Sequence, residues 1–248
     1  MIDKILLKKR FEKSLETYGD NAIVQNYMAA KLVNLLKDHS ENSFDMVFEF
    51  GVGSANLTRL FSEEFTYTKL FLNDIVKKSE NWAKKYVDEF EFIEGDIEKI
   101  EIPKHLNLVI SNATVQWVKD FDKLIEKVAD SLEPNAKFAF STFGEDNFLE
   151  IQQVFSIGLK YLSKSEIEEK LGKHFRILET VEDRIELDFK TPKEVLKHIQ
   201  NTGVNCMGLK NFYKSTFFSF EKDYKKLFST PDGVKLTYHP IYTVVEKI

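Results

Sequence analysis

An α/β fold with a mostly parallel sheet, helices on both faces and a helical lid is the class this sequence predicts. Short apolar runs alternate with helical patterns over residues 46–143, which is the signature of a parallel sheet covered on both sides. The first of those runs passes through two glycines directly into a helix. The chain is also long and apolar enough for one large core: 248 residues, 43% hydrophobic, with 22 Phe that need burial and argue against disorder. Only 10 Gly and 5 Pro, with no repeat and no low-complexity linker, predict long elements and short loops.

The elements follow in order. Ile23, Tyr27, Ala30, Val33 and Leu36 fall at helical spacing and predict a helix over about 22–37. Strands are predicted at "MVFEF" (46–50), "KLFLN" (69–73), "FEFIE" (90–94), "LNLVIS" (106–111) and "KFAFSTF" (137–143), with helices near 55–64, 78–87 and 121–132. After Phe143 the rhythm changes. A helix is expected over 147–161, a strand over "RILETVEDRIELDF", helices over about 192–201 and 211–228, and a last strand, "KLTYHPIYTVVEK", at 235–247. That makes seven strands in one domain, 1–248, with residues 190–230 as a lid over the sheet's carboxyl edge. Ligands of such a sheet sit beyond the carboxyl ends of its strands.

Charge and cysteine content narrow the setting. The net charge of −5 argues against general nucleic-acid binding, but it is uneven. Residues 1–150 hold 19 Lys and Arg against 27 Asp and Glu; residues 151–248 hold 16 against 13. The basic excess of the second part is either ordinary solvated lysine or a face for an acidic partner. Cys206 is the single cysteine, so no internal disulfide forms, which suits a reducing cytosol. The start, "MIDKILLKKRFEKS", lacks the apolar core of a signal peptide, and no apolar run approaches the roughly 18 residues that span a bilayer. A cytoplasmic protein with no membrane partner is expected.

The chemistry begins at "FDMVFEFGVGSANLTRLF". Gly51 and Gly53 let the backbone turn tightly and approach a ligand closely. A dinucleotide site wants a third glycine where this chain has Asn56, and Glu49 just before the turn would repel a pyrophosphate. A nicotinamide-dependent reductase is therefore disfavoured. Glu49 suits a ligand with an amino group. Asp74, at the next strand end, can accept from a pair of ribose hydroxyls, and Asp96 after the third strand from an exocyclic adenine amine, with the Ile97 backbone against the ring. Each acid alone also fits a helix N-cap or a solvated turn. Together they fit an amino-acid head, a ribose and an adenine, which is S-adenosylmethionine. Other chemistries lack their marks: there is no Cys/His metal spacing, no P-loop and no G-x-S-x-G elbow, and the five histidines are scattered.

"VFEFGVGSANLT", "LFLNDI", "FIEGDIE", "LNLVISNATVQWVKD" and "DSLEPNAKFAFSTF" resemble the successive motifs of the Rossmann-like class I S-adenosylmethionine-dependent methyltransferases. "RFEKSLETYGDNAIVQNYMAAKL", "SNATVQWV", "FSTFGEDNFLEI", "HIQNTGVN" and "LTYHPIYTVVEK" are similar, over nearly the whole chain, to the malonyl-acyl-carrier-protein O-methyltransferase family of biotin synthesis. The chain departs from the common pattern at Ala55, Asn107 and "EPNA" (133–136). The resemblance implies methylation of the free carboxylate of a malonyl thioester held on acyl carrier protein, or on coenzyme A. It implies an N-terminal segment, with Tyr18 and Gln25, folded over the cofactor. It puts Ser111 and Asn112 near the sulfonium, and Gln116 and Trp117 at the acyl pocket, where Trp117 equally fits a core position. Tyr18, Gln116 and Trp117 are the expected catalytic residues. Arg176 or Arg184 is a candidate to balance the substrate carboxylate. The carrier is acidic as a family, and Lys190, Lys193, Lys197, Lys210, Lys214, Lys222, Lys225 and Lys226 are candidates to steer it. Two other readings stay open: a methyltransferase for another small acid, similar to the trans-aconitate enzymes, and a non-catalytic cofactor-binding protein that supports a partner.

Overall fold

A computed structural model of the chain describes residues 3–155, 159–202 and 214–248, apart from the side chains of residues 14–21 and 214–218. Two helices come first, α1 (Lys4–Asn21) and α2 (Ile23–Asp38). The alternating part follows: β1 (Ser43–Phe50), α3 (Asn56–Glu64), β2 (Thr66–Asp74), α4 (Ser79–Ala83), β3 (Glu91–Glu94), β4 (Leu106–Ser111), a 3₁₀ turn at Val115–Trp117, α5 (Phe121–Ala129) and β5 (Leu132–Phe143). The rest is α6 (Leu149–Phe155), α7 (Lys164–Leu171), β6 (Phe175–Glu182), β7 (Ile185–Phe189), α8 (Pro192–Asn201), α9 (Lys214–Phe228), β8 (Ser229–Thr230), β9 (Gly233–Tyr238) and β10 (Pro240–Lys247).

Seven strands form one sheet in the order β3-β2-β1-β4-β5-β10-β6. All neighbours are parallel except β10, which runs antiparallel between β5 and β6. The order reverses between β1 and β4, so a crevice opens beyond their carboxyl ends. The central strands are apolar on both faces, as a sheet covered twice requires: Val47, Phe48 and Phe50 of β1 and Leu108, Val109 and Ile110 of β4 are buried. Met28, Leu32 and Leu36 of α2 pack on one face with Phe61 of α3. Leu124, Ile125 and Val128 of α5 pack on the other with Ile167 and Leu171 of α7. Helix α7 starts at a capping box: Ser163 accepts from the Glu166 N–H while Glu166 accepts from the Ser163 N–H, an arrangement that stabilises by about 1 kcal/mol.

The five expected strands of residues 46–143 are all present, but the later expectations need correcting. "RILETVEDRIELDF" is two strands, β6 and β7, and "KLTYHPIYTVVEK" is also two, β9 and β10. The breaks face one another. The Asp183 N–H donates to the Pro240 carbonyl at the kink, and the paired ribbon then leaves the large sheet as a second, three-stranded sheet, β7-β9-β8. Pro240 has no N–H to continue a ladder, so it opens its strand. The helix expected over 147–161 is α6, Leu149–Phe155, and residues 159–163 are not helical. The helix expected over 78–87 is the short α4. Strand β5 begins at Leu132, inside the stretch expected to be helix, and takes the extra "EPNA" residues as an irregularity with Asn135 at φ +64°.

Helices α8 and α9, near the stretches 192–201 and 211–228 expected to be helical, stand between β7 and β8, and residues 203–213 lie outside the described part. Helix α9 rests on the small sheet through buried Phe220 and Tyr224, whose hydroxyl donates to the Lys235 carbonyl. Phe155 of α6 stacks on Phe220 at 4.5 Å. Among the described residues no helix is long and apolar enough to cross a membrane.

Candidate active site

The crevice beyond β1, β2, β3 and β4 is a cleft enclosing about 970 Å³, part of it open to solvent. Its floor is the glycine turn. Gly51 (φ +76°) and Gly53 (φ +54°) both take left-handed backbone, and Ala55 (φ +59°) does so without being glycine. A Cβ on Gly51 would stand 2.0 Å from the Thr114 hydroxyl oxygen, so only glycine lets the β1 and β4 loops close together. A Cβ on Gly53 would meet no heavy atom nearer than 4.0 Å. The space beside Gly53 is thus open to a ligand.

Asp74 ties this turn to β2. Its Oδ2 accepts from the Gly53 N–H at 2.8 Å and its Oδ1 from the Val76 N–H at 2.7 Å. The Asn73 carbonyl accepts from both the Gly51 and Val52 N–H groups. Burial pushes the Asp74 carboxyl above its ordinary range, against the pull of the N–H groups of Gly53 and Val76. Glu49 is 1% exposed and is not among the cleft-lining residues; its Oε2 accepts from the Thr58 hydroxyl at 2.8 Å. Burial drives its pKa up to about 8, opposed by the Thr58 bond and assisted by the Asp74 charge.

Of the residues singled out in the sequence, Gln25, Gly51, Gly53, Asp74, Asp96, Ile97, Asn112 and Trp117 share this cleft. Ser111 stands behind it: fully buried, its hydroxyl donates to the Phe50 carbonyl and fastens β4 to β1. Asn112 fastens β4 to α2 and β5 at once, donating to the Gln25 carbonyl at 3.0 Å and accepting from the Ser141 hydroxyl at 2.5 Å. Gln116 braces its own loop, donating to the Ala113 carbonyl while its Oε1 accepts from the Thr142 hydroxyl. The Tyr18 side chain lies outside the described residues.

Several cleft residues were not singled out. Lys4, Leu7 and Phe11 of α1 line it, with no signal in a segment that shows little amphipathic periodicity. Lys4 pairs with Asp96 at 3.2 Å and Glu98 at 2.8 Å, Lys8 with Glu94 at 2.8 Å, and these clasp α1 to the end of β3. Phe11 meets Trp117 edge to face at 5.6 Å. Asn56, read only as a missing glycine, lines the cleft with its Nδ2 buried and unpartnered; Gln25 Oε1 is in the same state. An orphan donor and an orphan acceptor, together with Asp74, Asp96 and Ile97 in the same cleft, fit a zwitterionic amino-acid head joined to a nucleoside. Among the described residues no group of three or more His, Cys, Asp or Glu could hold a metal ion.

The two candidate arginines part company. Arg176 bonds Glu246 where β6 begins, at the edge opposite the cleft. Arg184 lies on the cleft's edge of the sheet and pairs with Asp146 at 2.8 Å. Nearby, His239 is nearly buried against Gly144; its Nδ1 accepts from the Asp146 N–H and its Nε2 faces Glu182 at 3.1 Å. Burial holds the imidazole below its ordinary pKa.

Known proteins resemble this chain in sequence and in fold. Residues 48–140 match the family model described as a methyltransferase domain. The chain is 40% identical, over 99% of its length and 97% of the relative's, to a malonyl-acyl-carrier-protein O-methyltransferase of Chlorobium phaeovibrioides. It is 38% identical, over 97% and 96%, to a protein of the same name from Calditerrivibrio nitroreducens. Among solved structures, the N-methyltransferase NodS of Bradyrhizobium japonicum in complex with S-adenosyl-L-homocysteine is similar in fold, with a TM-score of 0.52 at 9% identity, covering 88% of this chain and 85% of that one.

Proposed function

This chain belongs to the malonyl-acyl-carrier-protein O-methyltransferase family, and we propose that it methylates the free carboxylate of a malonyl thioester carried on acyl carrier protein, using S-adenosylmethionine. The observation that carries this reading is the near full-length identity to those relatives, joined to a cleft whose orphan polar atoms match the cofactor's amino-acid head. The resemblance of the sequence further places the reaction in the making of a biotin precursor.

S-adenosylmethionine, when bound, supplies a methyl group on a positively charged sulfur. The residues of the chain then have to hold, orient and keep dry. Gln25 Oε1 and Asn56 Nδ2 offer an acceptor for an ammonium and a donor for a carboxylate. Asp74 and Asp96 offer carboxylate lone pairs to the ribose and adenine ends, and Ile97 offers an apolar wall. Phe11 and Trp117 cover the cleft and exclude water, which strengthens every charge interaction inside it. The substrate carboxylate, with a reference pKa of roughly 4, is ionised at neutral pH and needs no general base. Alignment is the main task, and it can supply about 7–11 kcal/mol of the barrier.

The partner is the carrier protein, met by the basic part of the chain. Lys190, Lys193, Lys197, Lys222, Lys225 and Lys226 flank or belong to α8 and α9; Lys210 lies outside the described residues, as does the Lys214 side chain. Charge steering predicts a kcat/KM for the carrier substrate that falls several-fold between about 0.05 and 0.5 M salt. A flat salt profile would remove the lysines from the reading. Neither nucleic acid nor membrane belongs to the proposed reaction, and its proposed setting is the cytoplasm, supported by a chain whose single cysteine leaves no disulfide to maintain. The direct test incubates the chain with S-adenosylmethionine and malonyl-acyl carrier protein and follows the acyl group by mass. A gain of one methyl, absent with acetyl-acyl carrier protein and lost in Asp74→Ala, is expected. Cofactor binding without any gain would keep the fold and discard the substrate.

A further inference from the structure

Beside Trp117 lies a second, much smaller space, with free room for about one water molecule, which shares Gln25 and Trp117 with the cofactor cleft. Gln116, Phe143, Asn147 and Tyr161 line it too, and none of its lining residues is charged. Most of its polar groups are committed. Both ends of the Gln116 amide are bonded. Asn147 donates to the Tyr161 oxygen at 3.0 Å and accepts from the His239 N–H at 3.3 Å. The Tyr238 hydroxyl is held by His198 at 2.8 Å. Tyr161 differs. It is 7% exposed, its oxygen accepts from Asn147, and its own hydrogen meets no acceptor among the described residues.

We infer that the Tyr161 hydroxyl seats the reacting carboxylate of the substrate, one oxygen of which takes the water-sized space beside Trp117; the inference rests on the carboxyl-methyltransferase reading above. A buried O–H with no acceptor is costly unless a ligand or water takes its hydrogen. Burial keeps that hydrogen in place, because the phenol is held well above its ordinary pKa. The donor is therefore neutral at any working pH. This suits a nucleophile. A guanidinium would hold the carboxylate harder and blunt it, whereas one neutral hydrogen bond orients the group and leaves its charge on the attacking oxygen. The opposite charge that offsets the buried carboxylate is the sulfonium in the adjoining cleft. The transfer moves no proton, so Tyr161 keeps its hydrogen throughout. Asn147 acts through Tyr161, by fixing the direction of the phenol.

The test is Tyr161→Phe in the full chain, assayed with malonyl-acyl carrier protein. The KM for the carrier substrate should rise about tenfold or more, the loss expected for a hydrogen bond to a charged group. Binding of S-adenosylhomocysteine by calorimetry should stay within about twofold, because the cofactor cleft is untouched, and the melting temperature should fall by no more than about 4 °C. An unchanged KM overturns the inference, and so does a loss of cofactor binding equal to the loss of activity, which would mark a structural residue. If the unaltered chain fails to methylate the malonyl carrier, the functional reading falls and takes this inference with it; that result is told apart by needing no variant. Should Tyr161→Phe fold poorly, 3-fluorotyrosine at position 161 supplies a second readout. Its fluorine resonance should shift on adding malonyl-pantetheine and stay in place with the methyl ester, and equal responses to both would overturn the proposal.

Discussion

On one side of the cleft the ends of β1, β2 and β4 hold one another through backbone. Asn73 accepts from Gly51 and Val52, Asp74 receives the N–H groups of Gly53 and Val76, and Ser111 donates to Phe50. On the other side α1 lines the cleft, and its described residues are joined to the rest through side chains: Lys4 and Lys8 on acids around β3, Phe11 on Trp117, and Leu7 in the core. The first wall is rigid because its hydrogen bonds are buried and its turn needs residues without a Cβ clash. Among the described residues the second is held by partly exposed ion pairs, worth about 0.2–1 kcal/mol each, by one aromatic pair worth about 0.5–1.5 kcal/mol beyond its buried area, and by Leu7, which is buried in the core. A site that must admit and release a cofactor needs one fixed wall to read it and one cheaper wall to open.

Substitutions in the two walls should therefore differ in size. The largest effect is expected for Gly51→Ala, which forces a methyl onto Thr114 and a left-handed φ onto alanine. Cofactor affinity by calorimetry should fall about a hundredfold or more, with kcat/KM following; a change within twofold would mean that the glycine turn does not set the floor. Phe11→Ala breaks the other wall. It should weaken cofactor binding about three- to tenfold and shift the melting temperature by only a few degrees, since Phe11 is only partly buried where it packs on Trp117 and the core. If it matched Gly51→Ala, the distinction between the walls would collapse.

The smallest and most diagnostic effect is one of pH. Glu49, behind the rigid wall, has its carboxyl raised from 4.5 to about 8. The native state therefore binds a proton that the unfolded chain releases across that interval, and the stability it contributes is lost as pH rises from about 4.5 to 8. Asp74, also raised, adds to the slope with the same sign. In the ligand-free chain the melting temperature should fall between pH 5 and 8, and Glu49→Gln should flatten the fall, leaving the share due to Asp74. Parallel curves for the two proteins would show that Glu49 is already ionised in the folded parent chain across that range.

The rigid wall was largely legible in the sequence and the other was not. "FEFGVGS", "FLND" and "IEGD" each put their functional residue within two positions of a strand end, where a local pattern is enough to find it. The sequence misled on Asn56, because the third position of a fingerprint reads as a missing glycine, while the structure uses its amide. It also left Arg176 and Arg184 equivalent, since which edge of a sheet a residue occupies depends on strand direction and not on spacing. Asn147 and Tyr238 lie inside the family-like stretches "FSTFGEDNFLEI" and "LTYHPIYTVVEK" but neither pattern gives them a role, and Tyr161 lies in no such stretch; β5, the connection after α6 and the small sheet bring the three together.

What the sequence determined by itself is the parallel core, the glycine turn and the chemical class of the ligand, because all three rest on periodicity, on glycine's freedom at positive φ and on charge at the strand ends. Only the tertiary structure decided where β6 and β10 break to start a second sheet, which arginine reaches the cleft's edge, and which hydroxyl is left with a hydrogen to give. Those depend on how distant segments satisfy one another's buried polar groups, and that balance is struck only once the chain has closed on itself.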